Sequence, residues 1–295
     1  MRRTFALALL VLGLLAAAAG PAGAASGSDY LRSRLTRSGG IVESGSSTPS
    51  VSLTQWSVMG LTASGRRPWL MRVTGGHTPA YFLAHRAGRW ATAYELARGV
   101  LAAVALNRDP RQFGGRNLVR ALRRKIDGTS GRIGRYSNST YWGVIALRAA
   151  RAQIPQASVA YIRHRQWANG GYGWAPGVGP DSNDTAAAIM ALRVSGVPCS
   201  WKAVNHGYDF LHSLQRSDNG YALYPSSGSD SQSTSWAIQA RIKCGLPNTG
   251  ALAYLAARQL PSGAFNYQAG RTITPAWVTS QVLPATNGRS YPIRP

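Results

Sequence analysis

The stretch Asp181-Ser182-Asn183-Asp184-Thr185-Ala186 gathers two carboxylates, a carboxamide and two hydroxyls immediately before the apolar run AAIMAL. A desolvated carboxylic acid with a raised pKa could deliver a proton from such a place. The same residue types also begin helices, because Asp, Ser, Asn and Thr are preferred N-caps and acids there complement the helix dipole. Other chemistries lack their residues. There is no Gly-x-Ser-x-Gly elbow, phosphate-binding loop, Cys-Gly-Glu-Gln thioester sequence or His-Glu-x-x-His, and His206 and His212 have no ligand spacing with Cys199 or Cys244. No metal site is expected. Only ten acidic residues could supply a glycosidase pair. The most tempting of them, Glu95, reads as the end of a capping box opened by Thr92, with Arg98 one turn on as its ion partner.

The elements that would position these residues repeat. Segments opening at Thr54, Thr92, Thr140, Thr185, Thr234 and Thr274 carry an aliphatic residue four positions on: Val58, Leu96, Val144, Ile189, Ile238 and Val278. Six positions on the residue is small, except at Arg98. Between them run a second set, SDYLRSRL, PAYFLAHR, NLVRALRRK, ASVAYIRHRQ, GYDFLHSLQ and GALAYLAARQ, each followed by a glycine-bearing stop. Six helical hairpins of this kind can close into a double ring that leaves no open end. The expected fold is all-α: an α6/α6 barrel over residues 25–295, its inner helices starting near the six threonines.

The closing turns share a spacing of Gln, three residues, Gly or Asn, one residue, aromatic. It occurs at Gln166–Gly170–Tyr172, Gln215–Asn219–Tyr221 and Gln259–Gly263–Phe265, with weaker copies at Gly39 with Ile41, Gly88 with Trp90, and Gly131 with Ile133. The Gly or Asn suits a left-handed helix cap, and the aromatic folds back over the hairpin.

These repeats resemble the terpenoid cyclase and protein prenyltransferase superfamily of α/α toroids. Within it the chain looks most like bacterial squalene-cyclase-repeat proteins, and it is similar in plan to the helical domain of the corrinoid carriers transcobalamin and intrinsic factor. In the resemblance, Asp181, Asn183, Asp184, Thr185 and Ala186 fall on the Asp-x-Asp-Asp-Thr-Ala signature of class II cyclases. Asn183 then stands where the family's proton donor would be, and a carboxamide cannot deliver that proton. The protein is therefore expected to be non-catalytic, with Asp181 and Asp184 as the acids of a cyclase-like alternative. The resemblance requires no cofactor, and it makes an isoprenoid or a corrinoid the implied ligand.

Two residues after the threonines come Trp56, Tyr94, Trp142 and Trp236, with Trp277 displaced by one. This position shares a helix face with the small sixth residue and opposes the aliphatic fourth. Facing inward, these rings would surround the lumen at the end where Asp181, Asp184 and Asp230 converge, a site for a bulky apolar or amphipathic ligand. Facing outward, they would be interhelical packing.

The remaining expectations come from composition and ends. Arg2 and Arg3, the apolar run from Phe5 to Ala19 and Ala22-Gly23-Ala24 read as a secretion signal over residues 1–24, so the mature chain is expected outside the cytoplasm with no membrane span. Cys199 and Cys244 fall one hairpin apart, just past neighbouring inner helices, and are expected to pair. The net charge of +23 is almost wholly Arg, with Lys only at 125, 202 and 243. Such a chain is drawn to anionic envelope polymers or lipid headgroups, which also allows a structural or adhesive role. No zinc-finger, RRM or basic-zipper pattern points to specific nucleic-acid recognition.

Overall fold

Four of the six inner helices begin on a residue whose side chain caps them. A computed structural model describes residues 25–295, so the expected signal segment lies outside the described residues. Among the described residues there are twelve α-helices: α1 (Gly27–Ser33), α2 (Val51–Ala63), α3 (Pro79–Ala84), α4 (Ala93–Ala105), α5 (Leu118–Arg123), α6 (Ser137–Ala149), α7 (Gln156–His164), α8 (Ser182–Val194), α9 (Lys202–Ser213), α10 (Ser231–Ile242), α11 (Thr249–Ala256) and α12 (Pro275–Thr286). The side chains of Ser50, Thr92, Asp181 and Asp230 accept the N3 amide of α2, α4, α8 and α10, satisfying a donor that has no partner within the helix. At Thr92 the full capping box forms with Glu95.

The even-numbered helices make a closed inner ring, in which α2 packs on α4, α4 on α6, and so on until α12 returns to α2. The odd-numbered helices, all but α9 shorter than the inner ones, cover them from outside, each packed on an inner neighbour. The inner helices are buried on nearly every side, which is why Ala, Ser and Gly recur on them where backbones approach. A two-residue ribbon pairs Tyr221 with Asp230 and Ala222 with Ser229 ahead of α10. Cys199 and Cys244 are disulfide-bonded, with Cα atoms 5.9 Å apart, and join the loops after α8 and α10. No described helix is long and apolar enough to cross a membrane.

The repeated threonine lies one turn inside the helix in α2, α6, α8 and α10. There its buried Oγ1 accepts the backbone N–H of the residue two after the turn glycine or asparagine: Ile41 for Thr54, Ile133 for Thr140, Tyr172 for Thr185 and Tyr221 for Thr234, at 2.8–3.0 Å. Thr279 makes the same bond to Phe265 (2.9 Å). Thr274 and Thr92 are instead the N-cap positions of their helices, so the expected register is corrected in α12 and α4. In α4 the clasp position holds Leu96, and Trp90 N–H goes to the Ala87 carbonyl (3.3 Å). The shift removes the Arg98 exception, because the small residue of α4 becomes Ala102. The turns explain the Gln motif: Gln166 Nε2 donates to the carbonyls of Gly170 (2.8 Å) and Ala203 (2.9 Å). Gly170 has φ +88°, and a Cβ there would stand 2.1 Å from the His206 carbonyl oxygen, so no side chain fits. Gly88 lacks a positive φ and sits in a 3₁₀ turn, so it is not a copy of this device.

Candidate functional site

The corrected register decides what faces the lumen. The position two beyond the clasp holds Trp56 on α2, Arg98 on α4, Trp142 on α6, Ala187 on α8, Trp236 on α10 and Gln281 on α12. The three tryptophans come from alternate helices and meet edge to face, with ring centroids 5.2, 5.6 and 5.1 Å apart. Tyr291, from the segment after α12, enters among them at 5.4–5.7 Å from each. Trp236 Nε1 donates to Gln281 Oε1 (3.2 Å). Exposure is 1% for Trp56, 4% for Trp142 and Trp236 and 0% for Tyr291, so this part of the lumen is packed solid. The rings face inward, but they contact one another and leave no wide opening between them.

Two expected members of that ring lie elsewhere. Tyr94 sits in the first turn of α4, nearer the N-terminal mouth, and Arg98 turns its guanidinium over the Tyr94 ring (4.6 Å). That cation–π contact replaces the expected ion pair with Glu95, whose carboxylate is occupied by the Ala91 and Thr92 amides. Trp277 is half-buried at the edge, 6.5 Å from Trp56, and its amide donates to Glu43 (3.0 Å).

The mouth, where the inner N-termini converge, carries the acids. Asp181 caps α8 by accepting the Asp184 N–H (2.8 Å), and burial raises its pKa. Asp184 is pushed well above the usual carboxylate range by burial first, then by the Asp181 charge and a hydrogen bond shared with it, with the Asn138 side chain acting in the opposite direction. Tyr94, Tyr141 and Tyr224 lie within electrostatic range of Asp184. Tyr141 Oη donates to the Gly173 carbonyl (3.2 Å), and Tyr172 Oη is buried without a partner. Asp230, on α10, accepts the Ser233 amide and hydroxyl (both 2.7 Å) and is raised to about 6 by burial.

Above the acids is an aromatic rim. Tyr136 and Trp174 stand edge to face with centroids 5.2 Å apart, and both are about two-fifths exposed, as is Tyr224. Asn138 N donates to the Trp174 carbonyl (3.1 Å), which ties the rim to the polar floor beside Asp184. Sequence reasoning missed Tyr136, Asn138, Trp174, Tyr224 and Tyr291. The rim residues lie in irregular loops, two or three positions after the clasped residues Ile133, Tyr172 and Tyr221, and that offset is the signal that could have found them. Among the described residues no group of three or more His, Cys, Asp and Glu could hold a metal ion.

No protein-family model matches the sequence, and neither does any curated protein. Solved structures match its shape. A type II terpene cyclase from Scytonema in complex with geranylgeranyl dihydroxybenzoate is similar at TM-score 0.66 and 11% identity, over 89% of this chain and 95% of the other. A protein from Actinoplanes is similar at 0.64 and 17%, over 89% and 97%. A glycosidase in complex with glucose is similar at 0.60 and 11%, over 91% and 96%. The closed ring of six hairpins is therefore an α/α toroid, the fold that these structures share.

Proposed function

We propose that the protein is an extracytoplasmic, non-catalytic toroid that holds a bulky amphipathic small molecule across its acidic mouth. One observation carries this reading: the exposed Tyr136, Trp174 and Tyr224 rings stand over Asp184 and Asn138, while the Trp56–Trp142–Trp236–Tyr291 knot closes the lumen beneath. Ring faces suit an apolar ligand surface, and a carboxyl with a raised pKa beside a carboxamide suits its hydroxyl or amide edge. Of the two implied ligands, a long isoprenoid needs an apolar tunnel where the knot sits. A ring-shaped molecule, a corrinoid among them, needs only the mouth.

Titration with cyanocobalamin, a soluble oligosaccharide and a polyprenyl alcohol, followed by quenching of Trp174 emission, tests this reading. Saturable quenching by a ring-shaped ligand that disappears in Trp174→Phe supports it. Saturable binding of the polyprenyl alcohol alone, unaffected by Trp174→Phe and Asp184→Asn, would overturn it.

The raised carboxyl of Asp184 also supports a second reading, in which it serves as a general acid in a cyclase-like reaction. Turnover of squalene or a polyprenyl substrate that is lost in Asp184→Asn would establish that instead.

A further inference from the structure

The ends of the inner helices opposite the acidic mouth carry the reverse chemistry. The loops that follow α6 and α8, the end of α10 and the C-terminal segment line an open hollow of about 840 Å³. Its walls carry Arg148, Arg151, Arg193, Lys243 and Arg294 and no carboxylate. Two of these cations are fixed by the fold. Arg193 donates to the carbonyl oxygens of Lys243 (3.3 Å) and Val197, and Arg294 donates to those of Arg148 (3.3 Å) and Ala149 (2.5 Å) at the end of α6. The ion pairs found among the described residues, Asp29 with Arg66, Asp109 with Arg111 and Asp218 with Arg258, leave all five cations unneutralised.

Helix C-termini favour cations, which accounts for some of this charge. It does not account for five of them around one hollow, where each pushes on the next. Burial and the Arg193 guanidinium pull the half-buried Lys243 ammonium down to about 8, and burial with Arg151 and Arg148 lowers Arg294. The Cys199–Cys244 disulfide holds the arrangement, since Cys244 follows Lys243 and Cys199 Sγ lies 3.9 Å from the Lys243 carbonyl oxygen. A wall of five cations, two of them fixed, with no carboxylate among them is complementary to a multiply charged anion.

We propose that this hollow is a binding site for a multiply charged phosphate group, free as an oligophosphate or carried on a lipid headgroup, gripped by Arg148, Arg151 and Lys243 between the fixed guanidinium groups of Arg193 and Arg294. The site is independent of the ligand proposed for the mouth.

The chain has three lysines, Lys125, Lys202 and Lys243, so the unmodified protein carries its own controls. Acetylation at pH 8, read by peptide mass spectrometry, would be compared with and without inorganic tripolyphosphate. The expected result is slowing at Lys243 by about tenfold, with Lys125 and Lys202 within about twofold. Equal slowing at all three lysines, or none at Lys243, would overturn the proposal. By calorimetry the double change Arg148→Ala, Arg151→Ala should weaken tripolyphosphate binding by about tenfold or more, and Arg67→Ala, Arg72→Ala, which line a different hollow, by less than about twofold. Equal weakening would show diffuse charge attraction and overturn the site. Vesicles of phosphatidylcholine with and without phosphatidic acid, whose phosphomonoester carries nearly two charges at pH 8, separate the sources: selective protection of Lys243 by the anionic vesicles identifies a headgroup, and protection by tripolyphosphate alone identifies a soluble anion.

Discussion

The hydroxyl oxygen of Thr185 lies 2.9 Å from the backbone nitrogen of Tyr172 and accepts its hydrogen, tying an outer turn to the second turn of an inner helix. Both groups are buried, so the amide has no water to turn to. Thr185→Val keeps the shape and removes the acceptor, and should cost about 1–3 kcal/mol in chemical denaturation. Thr185→Ser should recover most of that loss. A neutral Thr185→Val would show that the clasp is incidental.

The aromatic knot should behave as core. Tyr291→Ala removes a fully buried ring packed on three tryptophans and should destabilise the protein by about 3–5 kcal/mol, with a change in tryptophan emission. Unchanged stability and emission would mean that the C-terminal segment does not fill the lumen in solution.

Asp230 sets a pH dependence of unusual sign. Burial raises its folded pKa to about 6 against an ordinary value of 3.8, so between those values the folded state holds more protons than the unfolded one. Its contribution is full below about pH 4 and is lost as the pH rises to about 6, by as much as about 3 kcal/mol. Asp29 and Glu95, whose pKa values are lowered, work in the opposite direction at lower pH. Asp230→Asn retains a capping side chain and should raise stability at pH 7 relative to pH 4. An unaltered pH profile in that variant would contradict the assignment.

The Cys199–Cys244 bond closes a loop with a sequence separation of 45. By the chain-entropy relation its removal should cost about 4 kcal/mol. Replacing both cysteines with serine and comparing unfolding midpoints measures this directly.

Much of the fold was legible because its periodic signals are physical requirements. The six hairpins, the Gln-x-x-x-Gly turns and the cysteine pairing could be read because each rests on a residue type that its position demands. The register of α4 and α12 was not, since a threonine serves equally as an N-cap and as a buried acceptor one turn later. Arg98, the one large residue at a small position, was the available sign that Thr92 plays the first part. The acids at the head of α8 were visible through their spacing. Tyr291 was not, because it lies beyond the last repeat, and Tyr136 and Trp174 were not, because the loops that carry them differ in length and sequence and only tertiary packing brings them to the mouth.

The most direct test of the mouth as a binding site is native mass spectrometry of the protein purified from its own host, followed by denaturation and identification of anything released. One ring-bearing amphipathic molecule per chain is expected, retained in Tyr291→Phe and lost in the double change Trp174→Ala, Asp184→Asn. An empty protein that stays empty after incubation with cyanocobalamin and oligosaccharides, or a ligand retained in that double variant, would contradict it.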